Sequence, residues 1–168
     1  NKAMLYHYFG SKEDLYLAAL EEIYLDIRRA EAELDLDMDD PQAAIAGLVA
    51  FTFQYYIDHP AFIRIINTEN LYGAVHLKGA TAMPTLKAPI LEKVAAILNT
   101  GVEKSVFRSG IDPLDLYISI SALGFTYVAN RHTLEAVFGR NLLAPDQIKS
   151  RLATMTDMVL RYLMVSPA

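Results

Sequence analysis

Apolar residues recur along this chain at three- and four-residue intervals, while alternating β-branched runs are absent, so the pattern predicts helices throughout. Asn1 to Tyr8 reads as the tail of a helix that breaks at Gly10. Ser11 is a suitable N-cap, because its hydroxyl can accept from an unpaired first-turn amide, and Glu13 and Asp14 suit the positive helix end. Leu15, Leu17, Leu20, Ile23, Tyr24 and Ile27 then keep helical spacing to about Leu34. After the acidic link Asp35 to Asp40, Asp40-Pro41 supplies an N-cap and a first-turn proline. The next helix carries Ile45, Leu48, Val49, Phe51, Tyr55 and Tyr56 and ends near Asp58-His59. Pro60 opens a short helix through Phe62, Ile63, Ile66 and Leu71, and Gly73 to Pro84 has no clear pattern. A helix from about Pro89 passes through Val94, Ile97, Val102 and Val106 to a stop at Ser109-Gly110. Asp112-Pro113 starts another, expected to run to Phe138-Gly139, and Pro145 begins the last.

Two of these helices are apolar on more than one face. Leu116, Ile120, Leu123, Tyr127 and Leu134 form one stripe of 113–138, with Tyr117, Ile118, Phe125 and Val128 partly elsewhere and small residues Ser119, Ala122 and Gly124 between. In 146–164, Ile148, Leu152, Met155, Val159 and Tyr162 recur at near-heptad spacing, widened by Met158, Leu160, Leu163 and Met164. A helix covering one core needs one apolar stripe, so the excess predicts a second buried surface. A second copy of the chain, meeting it through helices 113–138 and 146–164, is the expected partner, with Met155 and Val159 at the contact.

The 168 residues are 53% hydrophobic and 21% charged, which describes a globular chain with ample core. No apolar run reaches the roughly 18 residues of a membrane span. The absence of cysteine removes disulfides, thiolate catalysis and thiolate metal sites, and suits the cytoplasm. The chain lacks an initiator Met and begins mid-pattern, as a fragment would. Net charge is -5, yet Asn1 to Lys12 holds two lysines, a histidine and no acid. Any phosphate-attracting surface is therefore expected at the N-terminal tip.

That tip carries a motif. Tyr6, Phe9, Lys12 and Leu15 fit Tyr-x-x-Phe-x-x-Lys-x-x-Leu across a helix end, a glycine break and a helix start. This resembles the end of the helix-turn-helix and the following helix in the TetR (tetracycline-repressor) family of transcription factors. The resemblance implies an all-α fold in which 1–10 is the end of a truncated recognition helix. Residues 11–168 would form the helical ligand-binding and dimerisation domain, with 11–34 as connecting helix. It implies that Lys2, Ala3 and Met4 face the DNA groove, that Tyr6, His7 and Tyr8 lie at phosphates and groove wall, and that Lys12 reaches a phosphate from the positive end of its helix. The implied function is a ligand-responsive regulator, a repressor released from operator DNA by a small effector.

Aromatic residues crowd the middle helices, so the effector is expected to be largely apolar, with a few placed polar groups. Phe51, Tyr55, Tyr72, His76, Phe107, Tyr117, Phe125, Tyr127 and Asn130 are the candidate ligand-binding residues. No HExxH, GxSxG, GxGxxG or Walker pattern occurs, and acidic pairs such as Glu21-Glu22 read as solvated charge. No catalytic residue, metal or cofactor is therefore assigned. A small all-helical enzyme or carrier for a lipid-like molecule is the alternative, and a purely structural dimerisation domain a third.

Overall fold

A computed structural model describes residues 8–79 and 89–165 of the chain. Among the described residues there are eight α-helices and no strand. They are α1 (Lys12–Glu33), α2 (Pro41–Asp58), α3 (Pro60–Leu71), α4 (Val75–Gly79), α5 (Pro89–Glu103), α6 (Pro113–Ala129), α7 (Arg131–Phe138) and α8 (Pro145–Leu163).

The helix starts follow local chemistry. Ser11 Oγ accepts from Asp14 N–H at 3.0 Å while Asp14 accepts from the Ser11 N–H at 3.1 Å, a reciprocal cap that fixes where α1 begins. Asp40 accepts from the Gln42 and Ala43 amides, both at 3.0 Å, ahead of Pro41. Asp112 does the same for Leu114 at 2.8 Å, ahead of Pro113.

At the centre lies α2, which packs on α5, α6 and α8. Ala44, Ile45, Leu48, Val49, Phe53 and Tyr56 are buried on several sides of it, the all-round burial expected of a central helix. Ile90, Val94 and Ile97 of α5, Leu116, Ile120 and Val128 of α6, and Met155, Val159 and Leu163 of α8 complete one core. Met155 and Val159 thus belong to the core of their own subunit and not to a contact with a second copy. The stripe splits, because 3.6 residues per turn rotate a near-heptad repeat across the helix face. Met158 and Tyr162 are left outward, 50% and 54% exposed.

Two helices end earlier than their patterns suggest. The long segment from Pro113 breaks at Asn130, whose backbone leaves helical geometry, and α7 restarts at Arg131. Asparagine is a weak helix former, and here its side chain makes no capping hydrogen bond to α7. The helix expected to reach Ser109 stops at Glu103. Val106 and Phe107 amides turn back to the Gly101 carbonyl, at 2.9 and 3.0 Å. Arg108 N–H then donates to Leu163 O at 2.8 Å, and Val165 N–H to Val106 O at 3.3 Å, so the strand-like segment pairs with the end of α8. The turn depends on glycine: a Cβ on Gly101 would stand 2.0 Å from a Phe107 ring carbon. Gly101→Ala should therefore lower stability by about 1–2 kcal/mol despite alanine's better helix propensity, read as an earlier urea midpoint at unchanged slope.

Candidate functional site

The face of α1 that meets the core carries Leu20, Ile23, Tyr24 and Ile27, and in register with them Glu31. Glu31 is only 1% exposed. Three partners meet this buried carboxylate or the helix end it sits on. Arg28, one turn earlier, forms an ion pair with it. The Tyr117 hydroxyl of α6 donates to it at 2.6 Å. Lys93 of α5 donates from one ammonium to the carbonyls of Glu31, Ala32 and Leu34, at 3.0, 2.8 and 2.7 Å. Those carbonyls are the unpaired negative end of α1, where a cation is most favourable.

Aromatic rings surround the cluster. Tyr56 stacks on Phe62 at 5.7 Å and meets the Phe125 edge at 5.7 Å, and Tyr24 approaches Phe62 at 6.3 Å. Burial raises the Tyr117 pKa well above the usual phenol value, and the Glu31 charge raises it further. Burial also raises Tyr24 and Tyr56. For Arg28, burial opposes the charged form, but Glu31 and Tyr117 outweigh it, so its pKa rises. The Arg28 Nε atom is buried without a hydrogen-bond partner, and Ser121 Oγ is buried beside the Tyr56 hydroxyl.

A second set joins α1 and α2. Tyr55 OH donates to Asp26 at 2.8 Å, and the His59 ring stacks on Tyr55 at 3.8 Å. Beside it Phe51, Gln54, Asp58 and Leu152 border an open groove of about 600 Å³. At the other end of α1, His76 Nδ1 lies 2.8 Å from the carboxylate of Glu69.

Of the ligand candidates, the fold brings Tyr117 to the buried cluster, Phe125 to its aromatic wall, and Phe51 and Tyr55 to the neighbouring groove. Tyr127 lies behind, its ring against Phe53 and its hydroxyl donating to Leu142 O at 3.0 Å. Four candidates stand apart. Tyr72 and His76 are at the opposite end of α1, Phe107 fills the space over Gly101, and Asn130 is at the exposed joint of α6 and α7. Arg28, Glu31, Tyr24 and Ser121 were missed, while Tyr56 was legible only as one of the aromatics on its helix with Phe51 and Tyr55. The available signal was register: Glu31 continues the apolar stripe Leu20-Tyr24-Ile27, where a solvated acid does not belong. Of the DNA-contact candidates, Tyr8 is exposed and Lys12 lies in the first turn of α1, whereas Lys2, Ala3, Met4, Tyr6 and His7 are outside the described residues.

Outward on α6 and α8 lies an apolar groove of about 550 Å³ bordered by Leu116, Ser119, Ala122, Leu123, Met158 and Tyr162. Leu114 and Ile118 are exposed nearby. Among the described residues no three metal-ligating side chains converge, and no helix is long and apolar enough to cross a membrane.

The raised pKa of Tyr117 has a pH consequence. Folding holds the neutral phenol, so its contribution is intact below the unfolded pKa of about 10 and is lost as pH climbs toward the folded value. Melting temperature should fall as pH passes about 10, and less steeply in Tyr117→Phe. Parallel curves for the two proteins would refute that coupling.

The family model for the tetracyclin repressor-like C-terminal domain matches residues 41–159. The HTH-type transcriptional repressor NicS of Pseudomonas putida is 37% identical over 163 residues, which is 97% of this chain and 77% of NicS. The HTH-type transcriptional regulator RutR of Escherichia coli is 36% identical over 142 residues, 84% of this chain and 65% of RutR. The HTH-type transcriptional repressor SCO4008 of Streptomyces coelicolor is 29% identical over 124 residues, 73% of this chain and 59% of its own length. These relatives are named as regulators of transcription, and the all-helical body and the matched C-terminal domain agree with them: the chain belongs to the TetR (tetracycline-repressor) family.

Proposed function

We propose that this chain is the effector-binding and dimerising part of a transcriptional regulator, a repressor released from operator DNA when a small ligand enters the body. The observation that carries this is the course of α1. One unbroken helix of 22 residues runs from the residues assigned to DNA contact to the buried Glu31 cluster. At 1.5 Å per residue it spans roughly 33 Å, so it joins a reading end to an interior without a flexible link.

The effector would lie against the aromatic wall of Tyr56, Phe62 and Phe125, which supports a largely apolar molecule. The unpartnered Arg28 Nε favours one hydrogen-bonding group on it. Two copies would pair through the outward faces of α6 and α8, where Ile118, Met158 and Tyr162 are exposed and Ser119 and Ala122 allow close approach. The pair then sets two reading ends about 34–36 Å apart, one turn of duplex. The names of the relatives favour this over an enzyme or carrier for a lipid-like molecule.

Genomic footprinting of the intact protein, followed by gel-shift titration on the protected site, tests the proposal. Tyr6→Ala and Lys12→Ala should each weaken binding about tenfold, the loss of one charge-assisted contact near 1.5 kcal/mol. Met158→Asp with Tyr162→Asp should give monomers in sedimentation and abolish the shift. Unchanged affinity, or a dimer that persists, contradicts the assignment concerned.

A further inference from the structure

The two ends of α1 are held differently. Its last two turns are tied to three neighbours: Asp26 to α2 through Tyr55, Glu31 to α6 through Tyr117, and the terminal carbonyls to α5 through Lys93. Its first three turns meet the body through Tyr16, which lies against the Glu69 carboxylate of α3 and the His76 ring of α4, beside Thr68 and Tyr72.

Glu69 is 1% exposed, and it does not sit on α1 at all. One oxygen meets His76 Nδ1 at 2.8 Å and the other accepts from the Leu77 N–H at 3.2 Å, so it fixes the first turn of α4. The Tyr16 hydroxyl of α1 is buried against the same carboxylate, short of hydrogen-bond geometry, and its ring lies 4.7 Å from that of His76. Burial, then the Glu69 charge, pushes the Tyr16 pKa up to about 12, so the phenol stays a potential donor. Burial alone would raise the Glu69 pKa, but the surrounding donors more than reverse it, and the carboxylate is held below its ordinary value.

The joint between α3 and α4 is strained at one residue. Gly73 and Ala74 are both in the left-handed region, at φ 67° and 58°; glycine takes it freely, whereas alanine adopts it reluctantly because of its Cβ. The Glu69 side-chain contacts to His76 and Leu77, with the Ala74 N–H donating to the Glu69 carbonyl at 2.7 Å, hold α4 against α3 across that joint. A cleft of about 210 Å³ bordered by Lys12, Tyr16, Thr68, Tyr72 and His76 leaves room for the α1 end to move over it.

We propose that Glu69 is a latch that holds the DNA-proximal turns of α1 through α4, and that Lys93 is the pivot about which α1 turns when the latch opens. The proposal rests on α1 acting as the lever of a regulator. Lys12 is 19 residues from Glu31, roughly 28 Å, so a tilt of about 5° at the pivot moves it by roughly 2.5 Å. That displacement doubles between two subunits, enough to spoil a fit to two half-sites at fixed spacing.

Hydrogen–deuterium exchange of the intact protein, read by mass spectrometry, tests this without a ligand. Glu69→Ala should speed exchange of the amides of Leu15 to Leu20 about tenfold and leave those of Ile27 to Glu33 unchanged. Lys93→Met should do the reverse. His76→Phe, which keeps Glu69 and its bond to Leu77, serves if Glu69→Ala does not fold, and should speed the first set alone. Equal acceleration of both sets, or none in the first, overturns the latch. Operator affinity of the unsubstituted protein is measured separately, and its absence would overturn the regulator and not the latch.

Discussion

A carboxylate in an apolar interior is tolerable only when its charge is met, and the body of this protein is arranged to meet one. Glu31 draws Arg28 from its own helix and Tyr117 from α6, while Lys93 of α5 covers the carbonyls beside it. A buried pair of this kind is weak evidence for stability, since desolvation offsets much of the attraction. Its consequence is specificity of position. Removing one partner would leave an uncompensated charge, so α1 can end in this core only in the register that brings all three together.

From that constraint the division of labour along α1 follows. The end that is fixed is deep, polar and shared among several helices. The end that carries Lys12 is shallow and rests on a short helix held in a strained joint. A rigid rod secured at one end and lightly held at the other converts small changes in the interior into larger displacements outside. Ligand binding of differential strength to the two positions is all that such a device requires, and linkage then obliges DNA to weaken the ligand by the same factor. The outward faces of α6 and α8, with Ile118, Met158 and Tyr162 exposed, are the surface we propose for a second copy.

Much of the architecture was legible because it is written locally. Ser11, Asp40 and Asp112 announce helix starts through side chains that reach the next two or three amides. Pro60 and Pro145 do so by their fixed backbone angle. The early end of α5 was not legible, because it depends on the Phe107 ring meeting Gly101 and on pairing with the end of α8. The split of the α8 stripe was hidden for a related reason: spacing alone does not say which apolar residue faces inward. Buried charge was the largest omission. Glu31 and Glu69 both continue apolar stripes; Arg28 is three residues from Glu31, but Tyr117 comes from 86 residues away and His76 meets Glu69 from 7 residues away across a helix break. A sequence pattern records the anomaly and not its resolution.

The coupling energy between Glu31 and Tyr117 measures most directly whether this buried carboxylate fixes α1 to the core. Urea denaturation of Glu31→Gln, Tyr117→Phe and the double variant closes the cycle. The account predicts a coupling of about 1.5–3 kcal/mol, the range for a hydrogen bond to a charged group. Single-variant losses that add to within about 0.5 kcal/mol would contradict it.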